Sequence, residues 1–160
     1  MLAFCTGCKH LMLDSPASGP IIVRRIFVTD EEECIEYLLS QCSAFAPHWK
    51  ERRAPYGHEP TPGGLMLDLA AFGRYAADAI ERDAATELAA IALAADRLVD
   101  WPSDHVQTAA VYGFLEGLTN RCLGEPERYP FQRLARYLGP SAIAACRDLD
   151  DYWGTQPPGV

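Results

Sequence analysis

Between Ser103 and Cys122 the chain carries Val106, Ala110, Val111, Gly113, Phe114, Leu115, Gly117 and Leu118. At helical spacing these cover roughly half a circumference. A helix apolar over so wide an arc needs neighbours on more than one side, so this stretch predicts a central helix in an all-α fold. Gly113 and Gly117 each cost roughly 1 kcal/mol against Ala inside a helix. The spacing therefore predicts a close helix–helix approach at that face. It does not signal a membrane helix pair, because Glu116, Asn120 and Arg121 interrupt the apolar character.

Five further helices are predicted around it. Thr29 and Glu32 have capping-box spacing before Cys34, Ile35, Leu38, Leu39 and Cys42, with Asp30 to Glu33 at the positive end of the dipole. A second helix is expected from Leu65 to Arg82, and a third from Asp83, read as its N-cap, to Val99. A short one carries Phe131, Leu134, Ala135 and Leu138, with Gly139 placed for a left-handed cap. The last, Ser141 to Trp153, sets Ala142, Ile143, Cys146, Leu149 and Trp153 on one side. A helical turn around Pro47 to Arg52 precedes the Pro- and Gly-rich loop from Pro55 to Gly64. The prediction is a compact bundle of about six helices, the central one near 103–122. Residues 1–20 read as a poorly structured extension, 21–154 as one domain and 155–160 as a disordered tail. Ile21 to Val28 includes a short extended segment that cannot build a sheet alone.

Charge narrows the partners. Twenty-two acidic residues against 14 basic ones give a net charge of -8. Phosphate backbones and anionic membranes call for Lys and Arg, so neither nucleic acid nor a membrane surface is expected. A basic protein partner suits the field, although acidity also serves solubility. No apolar run is long enough to span a bilayer, and Met1 to Leu13 lacks the basic start of a signal peptide. A cytoplasmic location with reduced cysteines is expected. Cys34, Cys42, Cys122 and Cys146 fall within helical patterns as small hydrophobes.

The chain holds few chemical motifs. Cys5, Cys8 and His10 have zinc-like spacing, yet a closed structural site needs four ligands and no second pair follows. No metal or cofactor is expected. His48 and His58 flank the Pro-rich loop without a nucleophile beside them. Glu116, Tyr112 and His105 share an arc of the central helix, and their reading is a buried polar network fixing helix register rather than catalysis. No phosphate loop or nucleophile elbow is present, so an enzyme is not expected. Asp148, Asp150 and Asp151, with Glu125 and Glu127, form the densest acidic region of the C-terminal half. Negative charge at a helix C-terminus opposes the dipole, which marks these residues as candidates for binding a basic partner.

From Phe45 and Trp49 onward the chain resembles a family of small helical bacterial domains of unknown function. The resemblance rests on Leu65-Met66-Leu67-Asp68-Leu69-Ala70, on Val111-Tyr112-Gly113-Phe114-Leu115-Glu116-Gly117-Leu118-Thr119-Asn120, on Tyr137-Leu138-Gly139-Pro140-Ser141, and on Asp150 with Tyr152-Trp153. It covers roughly residues 30 to 154. It implies a single all-helical domain. Some members resemble immunity proteins encoded beside polymorphic toxins, and no catalytic residue carries over. The expected function is neutralisation of a basic toxin or effector by an acidic surface. The alternatives are a non-inhibitory structural or adaptor domain and, behind it, a small hydrolase-type enzyme working through Glu116, His105 or the loop histidines.

Overall fold

The computed structural model describes residues 29–57 and 62–154. Cys5, Cys8, His10, His58, the 21–28 segment and the tail at 155–160 lie outside them. The described residues form seven helices and no strand. The helical turn near Pro47 is a helix in its own right, which accounts for the seventh.

Helix α1 spans Asp30–Gln41 and opens as its sequence dictates. The Thr29 hydroxyl accepts from the Glu32 N–H at 3.2 Å, and the Glu32 carboxylate accepts from the Thr29 N–H at 2.9 Å. Cys34, Ile35 and Leu38 form its buried face. A 3-10 turn, Ser43–Phe45, drives the Phe45 ring into the core and leads into α2, Ala46–Arg53. Helix α3, Gly64–Glu81, is buried along most of its length, and α4, Ala85–Val99, contributes Leu88, Ile91, Ala92, Ala95 and Leu98.

The central helix is where expected and is not a uniform α-helix. It runs as α5, Asp104–Thr108, a π-helical segment, Ala109–Leu115, and α6, Glu116–Gly124. Ala109, Ala110, Gly113, Phe114 and Leu115 are all buried. The wider π turn brings these five onto a narrower arc than α spacing would allow. Gly113 meets the Met66 carbonyl of α3 so closely that a Cβ there would overlap the oxygen. Gly117 is different. It is exposed, and a Cβ there would meet nothing within 4 Å, so the expected close approach is made by one of the two glycines.

Two caps differ from expectation. Asp83 is not the N-cap of α4; that position is Ala84. Asp83 instead takes a left-handed φ of 51° in the connecting turn, where its carboxylate accepts from Arg136 at 3.0 Å. Arg133 reaches the end of α3 and donates to the carbonyls of Ile80 and Glu81 at 2.8 and 3.1 Å. Arg133 lies within the four-residue α7, Gln132–Ala135, and Arg136 is its C-cap.

Gly139 is extended rather than left-handed and serves as the N-cap of α8, Pro140–Trp153. Having no side chain to cap with, it yields that task to α4. The Asp96 carboxylate accepts from the Ala142 N–H at 3.0 Å, and it fills the space a Cβ on residue 139 would need. Asp100 accepts from the Ser141 hydroxyl. Replacing Asp96 with Ala should therefore behave as the loss of an N-cap, costing about 1–2 kcal/mol in urea unfolding.

Candidate partner-binding surface

Helix α8 packs on α4 and on the π segment. Its inner face is Ala142, Cys146, Leu149 and Asp150. Asp150 is only 5 % exposed, which removes it from the expected acidic surface: at helical spacing it falls one turn beyond Cys146 and faces inward with it. Asp148 and Asp151 do face solvent. They share their arc with Tyr152, which is 74 % exposed. Trp153, expected on the buried side, is 55 % exposed because the helix has run past the core by its last turn. The two rings meet edge-on with centroids 5.0 Å apart.

Among the described residues no cation compensates this end of α8. Its last turn carries no basic residue, and Gly154 closes the helix in a left-handed cap with its N–H on the Asp150 carbonyl. Arg147 is exposed nearby but makes no ion pair with Asp148 or Asp151. Carboxylates placed against the negative pole of a helix are unfavourable. Large exposed rings add a second cost in lost burial.

Glu125 and Glu127 are exposed and belong to another cluster. Arg128 joins Glu125 at 3.5 Å and Glu81, at the end of α3, at 2.9 Å. The structure thus divides the expected acidic region: the loop acids sit with a neutralising arginine, and the uncompensated pair is on α8.

The polar network expected within the central helix does not form as a buried unit. His105 is exposed and its Nε2 lies 2.8 Å from Glu31 Oε1 of α1. Tyr112 is 50 % exposed and Glu116 is half-buried. The π turn between positions 105 and 116 changes the angular register on which their common arc depended. A buried polar group of this kind occurs elsewhere. The side chain of Tyr75, buried in the core, interacts with the Glu87 carboxylate, which also receives two hydrogen bonds of 3.0 Å from Arg82.

Arg82 holds the Glu87 carboxyl below its ordinary value; burial opposes this and the Tyr75 hydroxyl assists it. A depressed folded-state value means stability that is present above the ordinary glutamate range and is lost as pH falls through the folded value. Glu87→Gln should therefore be less stable than the native chain at neutral pH. That difference should shrink steadily below about pH 4.5, which paired urea titrations would show.

The four described cysteines are unpaired and buried. Burial pushes the Cys42 thiol up to about 11 and those of Cys34, Cys122 and Cys146 up to about 12. They are core residues rather than nucleophiles at neutral pH. Among the described residues, no group of three or more His, Cys, Asp or Glu side chains is placed to hold a metal. No described helix is long and apolar enough to cross a membrane.

The sequence reading missed the rings of Tyr152 and Trp153 as surface features. The signal was their place in the last turn before Gly154, beyond the final buried pair Leu149 and Asp150.

The family described as Domain of unknown function (DUF7674) matches residues 35–154, and the chain belongs to it. No curated protein and no solved structure matches the chain.

Proposed function

We propose that this DUF7674 domain acts by binding a basic protein partner stoichiometrically, without catalysis, through the end of α8. The partner is a toxin or effector domain that the acidic surface occludes, in the manner of an immunity protein. The observation that carries the reading is the pairing of Tyr152 and Trp153, both well exposed, with Asp148 and Asp151 on a helix end that no described cation compensates. Exposed aromatic anchors inside a charged rim are the arrangement from which interface hot spots are built. Tyr and Trp have few rotatable bonds, so ordering them on binding costs little. The acids speed encounter with a positive surface and fix its orientation. The resemblance to immunity proteins supports the neutralising role.

The test begins with capture from lysate of the source cells by the tagged full chain, followed by titration of the captured protein in a calorimeter. A basic partner bound one to one is expected, with its own activity suppressed at equivalence. Tyr152→Ala with Trp153→Ala should weaken it at least thirtyfold, about 2 kcal/mol. Asp148→Asn with Asp151→Asn should slow association and flatten its salt dependence. Unchanged affinity in both pairs would remove α8 as the interface. Binding that leaves the partner's activity intact would favour the adaptor reading.

A further inference from the structure

A different part of the surface carries donors that the fold does not use. Between α2 and α3 lies a pocket of about 260 Å³ lined by His48, Glu51, Arg52, Ala71 and Arg74. Arg52 is 16 % exposed and fixed in place: its Nε lies 3.3 Å from Asp68 Oδ1, and its Nη2 donates to the Pro62 carbonyl at 2.9 Å. These contacts leave Nη1 without an acceptor among the described residues. Arg74, on the facing helix, is exposed and has no hydrogen bond or ion pair with any described residue.

Helix electrostatics account for some of the basic residues here and not for Arg74. Lys50, Arg52 and Arg53 occupy the last turn of α2, where positive charge suits the dipole, and Arg53 donates to the Gly57 carbonyl. Arg74 lies in the middle of α3, far from either pole. It also borders a second pocket of about 240 Å³ with Ala70, Gly73, Gly117 and Arg121. Arg121 is itself held rigid, its Nη2 donating to the Tyr129 hydroxyl at 2.9 Å and its guanidinium stacked on that ring. Arg74, unpaired among the described residues, thus stands between two held guanidinium groups along a furrow beside α3.

We propose that the pocket between Arg52 and Arg74 is a binding site for a small oxyanion, the phosphate or carboxylate group of a small molecule. A planar guanidinium matches either group with paired N–H donors, and one already fixed loses little freedom on binding. His48 adds a ring nitrogen, and its ring is set by Phe45 and Tyr75 with centroids 6.5 and 5.4 Å away. Asp68 and Glu51 offset much of the positive charge, so donor geometry rather than net field selects the ligand, and affinity of about 1 mM is expected for the bare anion. The pocket volume lies just below the usual range for small-molecule sites, which fits a compact ligand.

The test is a titration of the isotope-labelled full chain, followed by amide and arginine Nε–H resonances, with ionic strength held constant by chloride. Inorganic phosphate is one arm and acetate the other. Saturable shifts confined to Glu51–Arg53 and Ala71–Tyr75 are expected with at least one of them, and whichever arm saturates identifies the group. Arg74→Gln, an exposed substitution that leaves the core intact, should weaken that binding at least tenfold, and Arg147→Gln on α8 should leave it unchanged. Linear shifts with both anions, or equal half-saturation in Arg74→Gln and the native chain, would overturn the proposal.

Discussion

Gly113→Ala is expected to destabilise the domain by about 3 kcal/mol, at the upper end for overpacking. Its Cβ would overlap the Met66 carbonyl oxygen, and that atom belongs to the backbone of α3 rather than to a side chain that can swing away. Relief requires α3 and the central helix to separate. That loosens Phe72 and Phe114, whose ring centroids are 4.9 Å apart across the same contact. Gly117→Ala is the internal control. It changes the same residue type, one turn along the same rod, where a Cβ meets nothing within 4 Å. There the substitution should raise stability by up to about 1 kcal/mol, because Ala loses less conformational freedom than Gly on entering a helix. Urea midpoints of the two variants should thus move in opposite directions. A Gly113→Ala chain as stable as the native one would show that the helices are not in contact at Met66.

That pair of glycines also shows what the sequence can and cannot reveal. Apolar periodicity located the helices because burial of a stripe at period 3.6 leaves a pattern in the residues themselves. The α1 cap was legible for the same reason: Thr29 and Glu32 bond within one turn, so both partners lie in one short window. The cap of α8 was not, because Asp96 comes from α4 and the contact exists only once the helices are packed. The π segment shifted the face of the central helix, which separated His105 from Glu116 and exposed Gly117, and a wheel drawn at constant α spacing cannot register that shift. In the candidate surface, Asp148 and Asp151 were legible as charge against a dipole. Asp150, equally acidic, turned inward because its position relative to Cys146 outweighs its charge. Arg74 left a trace that could have been followed, as a cation within the largely apolar run from Leu65 to Ile80, but its lack of a partner among the described residues is a fact of packing.

Phe72→Ala should be the most costly single truncation in the core, about 3–5 kcal/mol. Phe72 is fully buried, and its ring lies 5.1 Å from Phe45, 5.8 Å from Tyr75 and 4.9 Å from Phe114 by centroid. It therefore joins the turn before α2, helix α3 and the central helix in one aromatic cluster. Removing it deletes apolar area and leaves a cavity whose walls come from three separate elements. Those walls cannot close by a side-chain adjustment, since Gly113 already sets the minimum spacing between α3 and the central helix at Met66. Phe72→Leu, which keeps most of the volume, should cost markedly less, about 1–2 kcal/mol. The cluster also supports the anion pocket from below, because His48 stands on Phe45 and Tyr75. Phe72→Ala should thus lower both the urea midpoint and the affinity for the anion, while Phe72→Leu keeps most of each. A Phe72→Ala loss under about 1 kcal/mol would mean that the three elements pack independently, contrary to a core in which one ring touches all of them.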